Sequence, residues 1–589
     1  MLKVLKRLNA GEWLQILVSL AFIVAQVWLD LKLPDYMSEI TRLTQTPGSE
    51  MADIWRQGGY MLACALGSVV SAVIVGFFAA RVAASFARGL RGLLFSKVDS
   101  FSMEEINRFS TSSLITRSTN DVTQIQMFLT MGLQMIIKAP IMAVWAVTKI
   151  AGKGAEWLAA TGGAVALLVA AITFLMIFVM PKFRQMQTLT DNLNQVTREN
   201  LTGLRVVRAY NAEDYQAGKF EKANAELTEA HLFTSRGMSV MMPLMGVIMS
   251  GLPLAIYWIG ARLIDSAGIM DRLAIFSNMV VFMSYAMQVI MSFMMLVMLF
   301  VLWPRAAVSA KRVNEVLDAE PSIADGRAAS GSSGLSGEIE FRNVSFKYPS
   351  AEEYVLRGVT FSARRGETVA FIGSTGSGKS TLVNLIPRFY DASEGEVLID
   401  GVNVRDYSLR ALYDKIGYAP QKAALFRGTI AENVAYGEKV SPNAEPVSED
   451  AVRKAVAIAQ GADFVEAMDG GYGAGVSQGG ANLSGGQRQR IAIARAVCRD
   501  PEIYIFDDSF SALDYKTDRT LRAALRKETS GVTSVIVAQR IGTIMDADKI
   551  IVLDEGRVAG IGTHRELLET CGIYKEIAMS QLSEEELAS

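Results

Sequence analysis

Six stretches of this chain are apolar and long: Trp13–Leu29, Tyr60–Ala80, Met131–Val147, Trp157–Met180, Met238–Ala261 and Leu273–Pro304. A bilayer core takes about 20 helical residues to cross, and inside it every backbone N–H and C=O must be satisfied within the protein. Each stretch therefore reads as a membrane-crossing helix, and the first half of the chain as an all-α polytopic domain. Five of the six carry no formal charge, while the third holds Lys138 and Pro140. If that helix enters from the cytoplasm, Lys138 is expected to snorkel at the boundary, the other reading being a lysine that binds substrate. Lys3, Lys6 and Arg7 precede the first stretch and no small-residue cleavage site follows it. It reads as a span entered from the cytoplasm rather than a removed leader.

The connections alternate in length. Asp35–Gln57, Gly152–Glu156 and Asp265–Arg272 are short. Arg81–Thr130 and Pro181–Gly237 are long and basic, with Arg88, Arg91, Lys97, Arg108 and Arg117 in the first and Lys182, Arg184, Arg198, Arg205 and Arg208 in the second. The positive-inside bias places the long ones in the cytoplasm. Folded as a hairpin, a connection of about 50 residues reaches roughly 35 Å at 1.5 Å per residue.

After Pro304 an amphipathic helix is expected through Leu317, and Asp325–Gly337, DGRAASGSSGLSG, reads as a flexible linker. The expected domains are a membrane domain over residues 1–320, a linker over 321–337 and a second domain over 338–589. In the last, strands such as Ile339–Tyr348 and Thr368–Ile372 alternate with helices, the pattern of an α/β fold. A net charge of −2 gives no general reason to expect a nucleic-acid partner. Cys64, Cys498 and Cys571 form no CxxC pair, and with only His231 and His564 a multi-histidine metal centre is excluded.

The strand ending at Ile372 runs into Gly373, Ser374, Thr375, Gly376, Ser377, Gly378, Lys379, Ser380 and Thr381. This GxxxxGK[ST] pattern, with a strand before and an apolar helix after, is a phosphate-binding loop. Backbone N–H groups close on phosphate oxygens, Lys379 reaches the β and γ phosphates, and the Ser380 hydroxyl ligates magnesium. Further on, Leu483, Ser484, Gly485, Gly486 and Gln487 open a helix whose terminal amides suit an anion. An apolar strand, Ile503–Phe506, then ends in Asp507 and Asp508, with Asp507 placed to hold magnesium.

From Glu338 to about Gln581, order and spacing resemble the nucleotide-binding domain of ABC transporters. The resemblance implies a tyrosine, Tyr348, stacking on adenine, Gln421 in GYAPQ as the Q-loop glutamine near magnesium, LSGGQ as the signature, and Ser511–Asp514 as the D-loop. The membrane half resembles the six-helix exporter fold. In that family two half-transporters pair, ATP lies between the P-loop of one chain and the signature of the other, and the cytoplasmic hairpins carry coupling helices. By position these fall near Arg108–Arg117 and Leu201–Tyr210.

Two positions depart from the family pattern. Asp508 stands where a glutamate usually follows the magnesium-binding aspartate, and Gln539 stands where the switch histidine is usual. Asp is shorter by a methylene, and glutamine cannot supply the charge and hydrogen bonds of histidine at a γ phosphate. The pattern resembles heterodimeric bacterial multidrug exporters with one degenerate and one consensus site. The expectation is a half-transporter in the bacterial cytoplasmic membrane that exports small amphipathic compounds with Mg-ATP and a second half-transporter. A carrier of a defined peptide, lipid or siderophore, an importer on the same fold, and a nucleotide-gated regulatory subunit or channel are the alternatives. On the sixth span Met279, Met283, Met287, Met291 and Met295 recur at every fourth residue, with Met294 and Met298 beside them. That face reads either as an adaptable substrate surface or as ordinary helix packing.

Overall fold

The computed structural model describes all residues except 47, 152–153, 350, 438–446, 529–530 and 583–589, together with the side chains of 45, 180, 183–184, 269–270 and 300–301. Gly152 of the second short connection, and the side chains of Met180 and Arg184, thus lie outside the described residues. The chain divides into two compact units, Met1–Asp99 with Thr111–Ala319, and Ser100–Ser110 with Glu320–Ser589.

Among the described residues of the first unit, six helices are long and apolar enough to cross a membrane. They outrun their apolar stretches. The first spans Ala10–Gln45 and the second Met51–Asp99, so that only residues 46–50 separate them. Asp35, expected to begin a connection, lies inside the first helix, as does Pro34. The third, Val122–Ile150, contains Pro140, and the fourth, Ala155–Phe174, passes through a π-helical turn at Leu175–Val179 into Met180–Thr202. Glu213–Ser239 leads into the fifth, Met241–Ser266, and the sixth runs from Ile269 to Leu317 through Pro304.

The second helix shows why these segments suit a bilayer. Its inward face is mostly small, with Cys64, Ser68, Ser71 and Ala79 buried, while Leu62, Leu66, Val70, Val73 and Phe77 point outward and are more than half exposed. A water-soluble helix has the reverse arrangement. Small residues let helix backbones approach where no hydrophobic force drives them together. At Gly260 on the fifth helix an added Cβ would lie 2.2 Å from the sulfur of Met279 on the sixth.

Lys138 does not snorkel. Its ammonium pairs with Asp30 of the first helix at 3.3 Å, and the same carboxylate accepts a hydrogen bond from the Ser68 hydroxyl of the second. A second knot follows: Asp35 accepts from Lys149 at 2.8 Å and from the Tyr285 hydroxyl at 2.6 Å, joining the first, third and sixth helices. Extending the first helix past Leu29 brings these carboxylates beside the lysines, and an unpaired charge there would be costly.

The second unit holds two main sheets. With strands numbered β1 Ile339–Phe346, β2 Leu356–Ala363, β3 Thr368–Gly373, β4 Glu394–Ile399, β5 Val402–Asn403, β6 Ile416–Ala419, β7 Ile503–Asp507, β8 Thr533–Val537, β9 Lys549–Asp554 and β10 Arg557–Gly562, the smaller sheet has order β2-β1-β4-β5 and the larger β10-β9-β3-β8-β7-β6. The larger is parallel except for β10. It is buried on both faces: Val369, Phe371, Ile503, Ile505, Val535 and Val537 point into one core, and Ala370, Ile372, Tyr504, Phe506 and Ile536 into the other.

The 321–337 stretch is not a free linker. Arg327 and Ala328 donate backbone bonds to the Asp406 carbonyl at 2.8 Å each, Gly326 to Tyr407 and Ser332 to Asp400. A Cβ on Gly326 would meet the Asp406 carbonyl oxygen at 2.3 Å. The small residues that suggest flexibility in sequence serve close backbone approach here. Ser100–Ser110, expected in the membrane domain, belongs with this unit. Glu105 there accepts from the backbone N–H of Ser322 at 3.0 Å, and Asn107 donates to the Tyr390 hydroxyl at 3.0 Å. At the segments expected near Arg108–Arg117 and Leu201–Tyr210, the short helices observed are Met103–Phe109 and Thr111–Thr116 for the first and Leu204–Ala209 for the second.

The Asp30–Lys138 pair is 21% and 18% exposed, so removing one partner leaves a largely buried charge. Lys138→Met is expected to destabilise the protein by about 3 kcal/mol, and the double change Asp30→Asn/Lys138→Met by less than the single one. Thermal unfolding of the detergent-solubilised variants checks the order.

Candidate functional site

Because β3, β8, β7 and β6 are neighbours and parallel, their carboxyl ends meet at one edge of the sheet. That edge is where open α/β sheets bind ligands. Gly373 ends β3, Gln539 follows β8 by two residues, Asp507 ends β7, and Gln421 follows β6 by two residues. Four sequence-distant motifs thus become one cluster.

The loop from Gly373 to Gly378 turns tightly into the helix Lys379–Leu385. Gly373 has φ +154° and a Cβ there would lie 2.0 Å from the Leu553 carbonyl oxygen, while Gly378 caps the helix at φ +96°. Neither position accepts a side chain without strain. Ser374, Thr375 and Gly376 are exposed, whereas Ser377, Lys379 and Thr381 are buried. The Lys379 ammonium donates to the carbonyls of Gly373 at 2.8 Å and Ser374 at 2.7 Å and to the Ser377 hydroxyl at 3.3 Å. Its burial lowers its pKa, with Asp508 and Asp507 pulling it partly back. Such a loop presents backbone amides and one cation to an anion.

Next to it the Ser380 hydroxyl donates to Asp507 at 2.9 Å. A hydroxyl and a carboxylate this close form an oxygen donor set suited to a hard divalent cation. Asp508 follows with φ +50°, its backbone N–H bonded to the Val537 carbonyl. One of its carboxylate oxygens, Oδ2, accepts from Gln539 Nε2 at 2.9 Å and from Gln421 Nε2 at 3.2 Å. The Ser511 hydroxyl donates to the Asp508 backbone carbonyl, and Asp514 accepts from Thr517 to start the helix Tyr515–Glu528.

Tyr348 is half-buried beside the loop helix, its hydroxyl 3.0 Å from that of Thr381 and its ring edge-on to Tyr390 at 5.3 Å. Ser484, Gly485, Gly486 and Gln487 are elsewhere. They open the helix Gly485–Cys498 through a capping box, with Ser484 and Gly485 exposed. Among the described residues no hydrogen bond or ion pair joins them to Gly373–Thr381.

The family described as ABC transporter matches residues 356–511, and the ABC transporter transmembrane region matches 12–303. An uncharacterized ABC transporter ATP-binding protein of Mycobacterium tuberculosis is 39% identical over 554 residues, covering 94% of this chain and 93% of the relative. The chain is an ABC exporter half-transporter. An ATP-dependent lipid A-core flippase of Aromatoleum aromaticum is 31% identical over 525 residues, 86% of this chain and 82% of that protein. The half-transporter also matches the structure of a bacterial Atm1-family ABC exporter with ATP bound, with TM-score 0.74, 26% identity and 99% of each chain covered. It is therefore a multi-pass membrane protein carrying an ATP-binding domain of the ABC type.

Gln581 went unnoticed in the sequence, yet its amide touches the backbone on both sides of Arg540 in the exporter's site segment. No local pattern marks a glutamine 42 residues from its contact.

Burial raises the carboxyls of Asp507 and Asp508 above the ordinary 3.8, although Ser380 draws the first back down and Gln421 and Ser511 the second. A carboxyl raised on folding binds more protons in the folded state, so its contribution to stability is lost as pH rises from 3.8 through the raised value. Asp508→Asn removes one such group. The nucleotide-free variant is expected to lose less stability than the wild-type exporter as pH rises through that window, as read from thermal unfolding at a series of pH values.

Proposed function

We propose that this chain is one half of a heterodimeric exporter of the bacterial cytoplasmic membrane, that its own P-loop serves a poorly hydrolysing ATP site, and that its signature serves a competent site on the partner. In this reading the backbone of Ser374–Thr381 and Lys379 hold the phosphates, Tyr348 stacks on adenine, and the ATP-binding domain faces the cytoplasm. Ser380, Asp507 and the Gln421 side chain hold magnesium, which neutralises phosphate charge and orients the γ phosphoryl group when bound. Ser484–Gln487 meet the nucleotide of the other half, in keeping with the exposure of Ser484 and Gly485.

The observation that carries the reading is the double amide clamp on Asp508 Oδ2. The residue that would activate water is short, and one of its oxygens already accepts two hydrogen bonds. Gln539 offers no basic nitrogen in place of an imidazole. Such a site holds nucleotide and turns it over slowly. The purified chain is expected to bind ATP with low turnover, and the double change Asp508→Glu/Gln539→His to raise turnover by about tenfold or more. A wild-type chain that alone hydrolyses as fast as that double variant would contradict the reading.

For cargo, the reading is small amphipathic compounds. A cavity of about 450 Å³ lies between the first and sixth helices, lined by Met37, Met283, Met287, Met291, Ser284 and Gln288 among others. Among the described residues the buried Gln288 carbonyl oxygen has no hydrogen-bond partner. Flexible thioethers around one unsatisfied acceptor suit an apolar body with a donor group. Met279, by contrast, is buried in the helix core. A lipid cargo is the second reading, favoured by the relatives named as lipid A-core flippases. Met287→Leu with Met291→Leu preserves volume at a cost under about 1.5 kcal/mol. The pair is expected to reorder a compound panel by ATPase stimulation, each rate taken relative to the variant's own basal rate. An unchanged order would return these methionines to packing.

A further inference from the structure

The segment that carries Gln539 is held from the far end of the domain. Val537 ends β8, and the four-residue helix Ile541–Ile544 begins after Arg540, which gives no side-chain cap. The first N–H groups of any helix have no partner within it and need one from elsewhere. Here it comes from Gln581: its Oε1 accepts from the Ile541 N–H at 2.8 Å, and its Nε2 donates to the Gln539 carbonyl at 2.9 Å. One side-chain amide thereby satisfies an orphan donor and an acceptor on either side of Arg540. It fixes the backbone from which the Gln539 side chain reaches Asp508 Oδ2 at 2.9 Å.

Gln581 is itself exposed, so its grip depends on the helix that bears it, Gly572–Gln581. That helix is anchored. Tyr574 and Ala578 are fully buried in the same core as Ile541 and Ile544, and the Tyr574 hydroxyl is 2.7 Å from His564 Nδ1 in the preceding helix His564–Thr570. The amide therefore projects from an anchored helix onto the short stretch between β8 and the helix Ile541–Ile544.

We propose that Gln581 is a positioning residue for the ATP site, setting the height and rotation of Gln539 so that its amide faces the γ phosphate. The assignment rests on the proposed function, in which Gln539 takes the place of the switch imidazole at the ATP site. A displacement of the Gly572–Gln581 helix then alters how this half-site tells ATP from ADP, without any contact between that helix and nucleotide.

The test uses the full-length chain in nanodiscs and measures ATP and ADP affinities by displacement of a fluorescent nucleotide, with thermal unfolding alongside. Gln581→Ala is expected to lower the preference for ATP over ADP by about threefold to tenfold, as loss of hydrogen bonds that hold one contact allows, with ADP affinity and Tm little changed. Gln581→Glu keeps the acceptor for Ile541 but sets a carboxylate against the Gln539 carbonyl, and is expected to lower the preference at least as far. In a Gln539→Ala background the Gln581→Ala change should add nothing, because the residue acts through Gln539. The proposal is overturned if Gln581→Ala leaves the preference intact while Gln539→Ala lowers it, if the two losses add, or if both nucleotides weaken equally with a fall in Tm. If Gln539→Ala itself leaves the preference unchanged, the reading of Gln539 fails, and the positioning role fails with it.

Discussion

The parallel pairing of β3 with β8 and of β8 with β7 is the constraint from which the rest of the ATP-binding domain follows. Parallel neighbours end on the same side, so the loops after them are brought within side-chain reach although they lie far apart in sequence. Ser380 meets Asp507 across 127 positions, and Gln421 meets Asp508 across 87. The apolar residues that alternate along these strands pay for this arrangement by packing on both faces of the sheet. Burial of the polar cluster at the edge bears its own cost, which raises the carboxyls of Asp507 and Asp508.

The membrane unit is governed by a different constraint, the need to satisfy charge and backbone where water is absent. Along the apolar part of its second helix large residues face outward and mostly small ones inward, and its two lysines on the third helix are matched by Asp30 and Asp35 on the first. The Tyr285 hydroxyl adds the sixth helix to the second of these knots. Together with the Ser68 hydroxyl of the second helix on Asp30, they tie four helices at two heights along the first one. Polar contacts of this kind favour one register of the helices over its neighbours, since sliding by one turn would strand a charge.

Within the ATP-binding domain, one run of contacts joins elements that sequence keeps apart. The Gly572–Gln581 helix holds Gln539 through its backbone, Gln539 holds Asp508, and Asp508 also receives Gln421. On the other side of the P-loop helix, Asn107 reaches Tyr390, whose ring meets Tyr348, whose hydroxyl meets Thr381. The Gly572–Gln581 helix thus touches the cluster at the sheet edge, and the segment 100–110, which interrupts the membrane unit in sequence, touches the aromatic residues beside the P-loop helix.

Much of this was legible in the sequence. The six apolar stretches settled the class of the first half, because length and hydrophobicity alone decide what can cross a bilayer. The phosphate loop, the signature and the paired aspartates were readable because each needs particular residue types at fixed local spacing. What sequence could not decide were the partners of isolated polar residues. Lys138 read as a boundary lysine because nothing local points to Asp30, 108 positions earlier, and the glycine-rich 321–337 stretch read as slack chain because close packing and flexibility favour the same small residues. The methionine stripe was visible, but only packing separates Met279, buried under Gly260, from Met283, Met287 and Met291 around a cavity. Local chemistry is written in neighbouring residues, and so the sequence by itself determined the class of each half and the motifs. Which distant side chains share a site depends on strand order and helix register, and that only the tertiary structure decided, as it did in setting the amide of Gln581 against the backbone of Gln539.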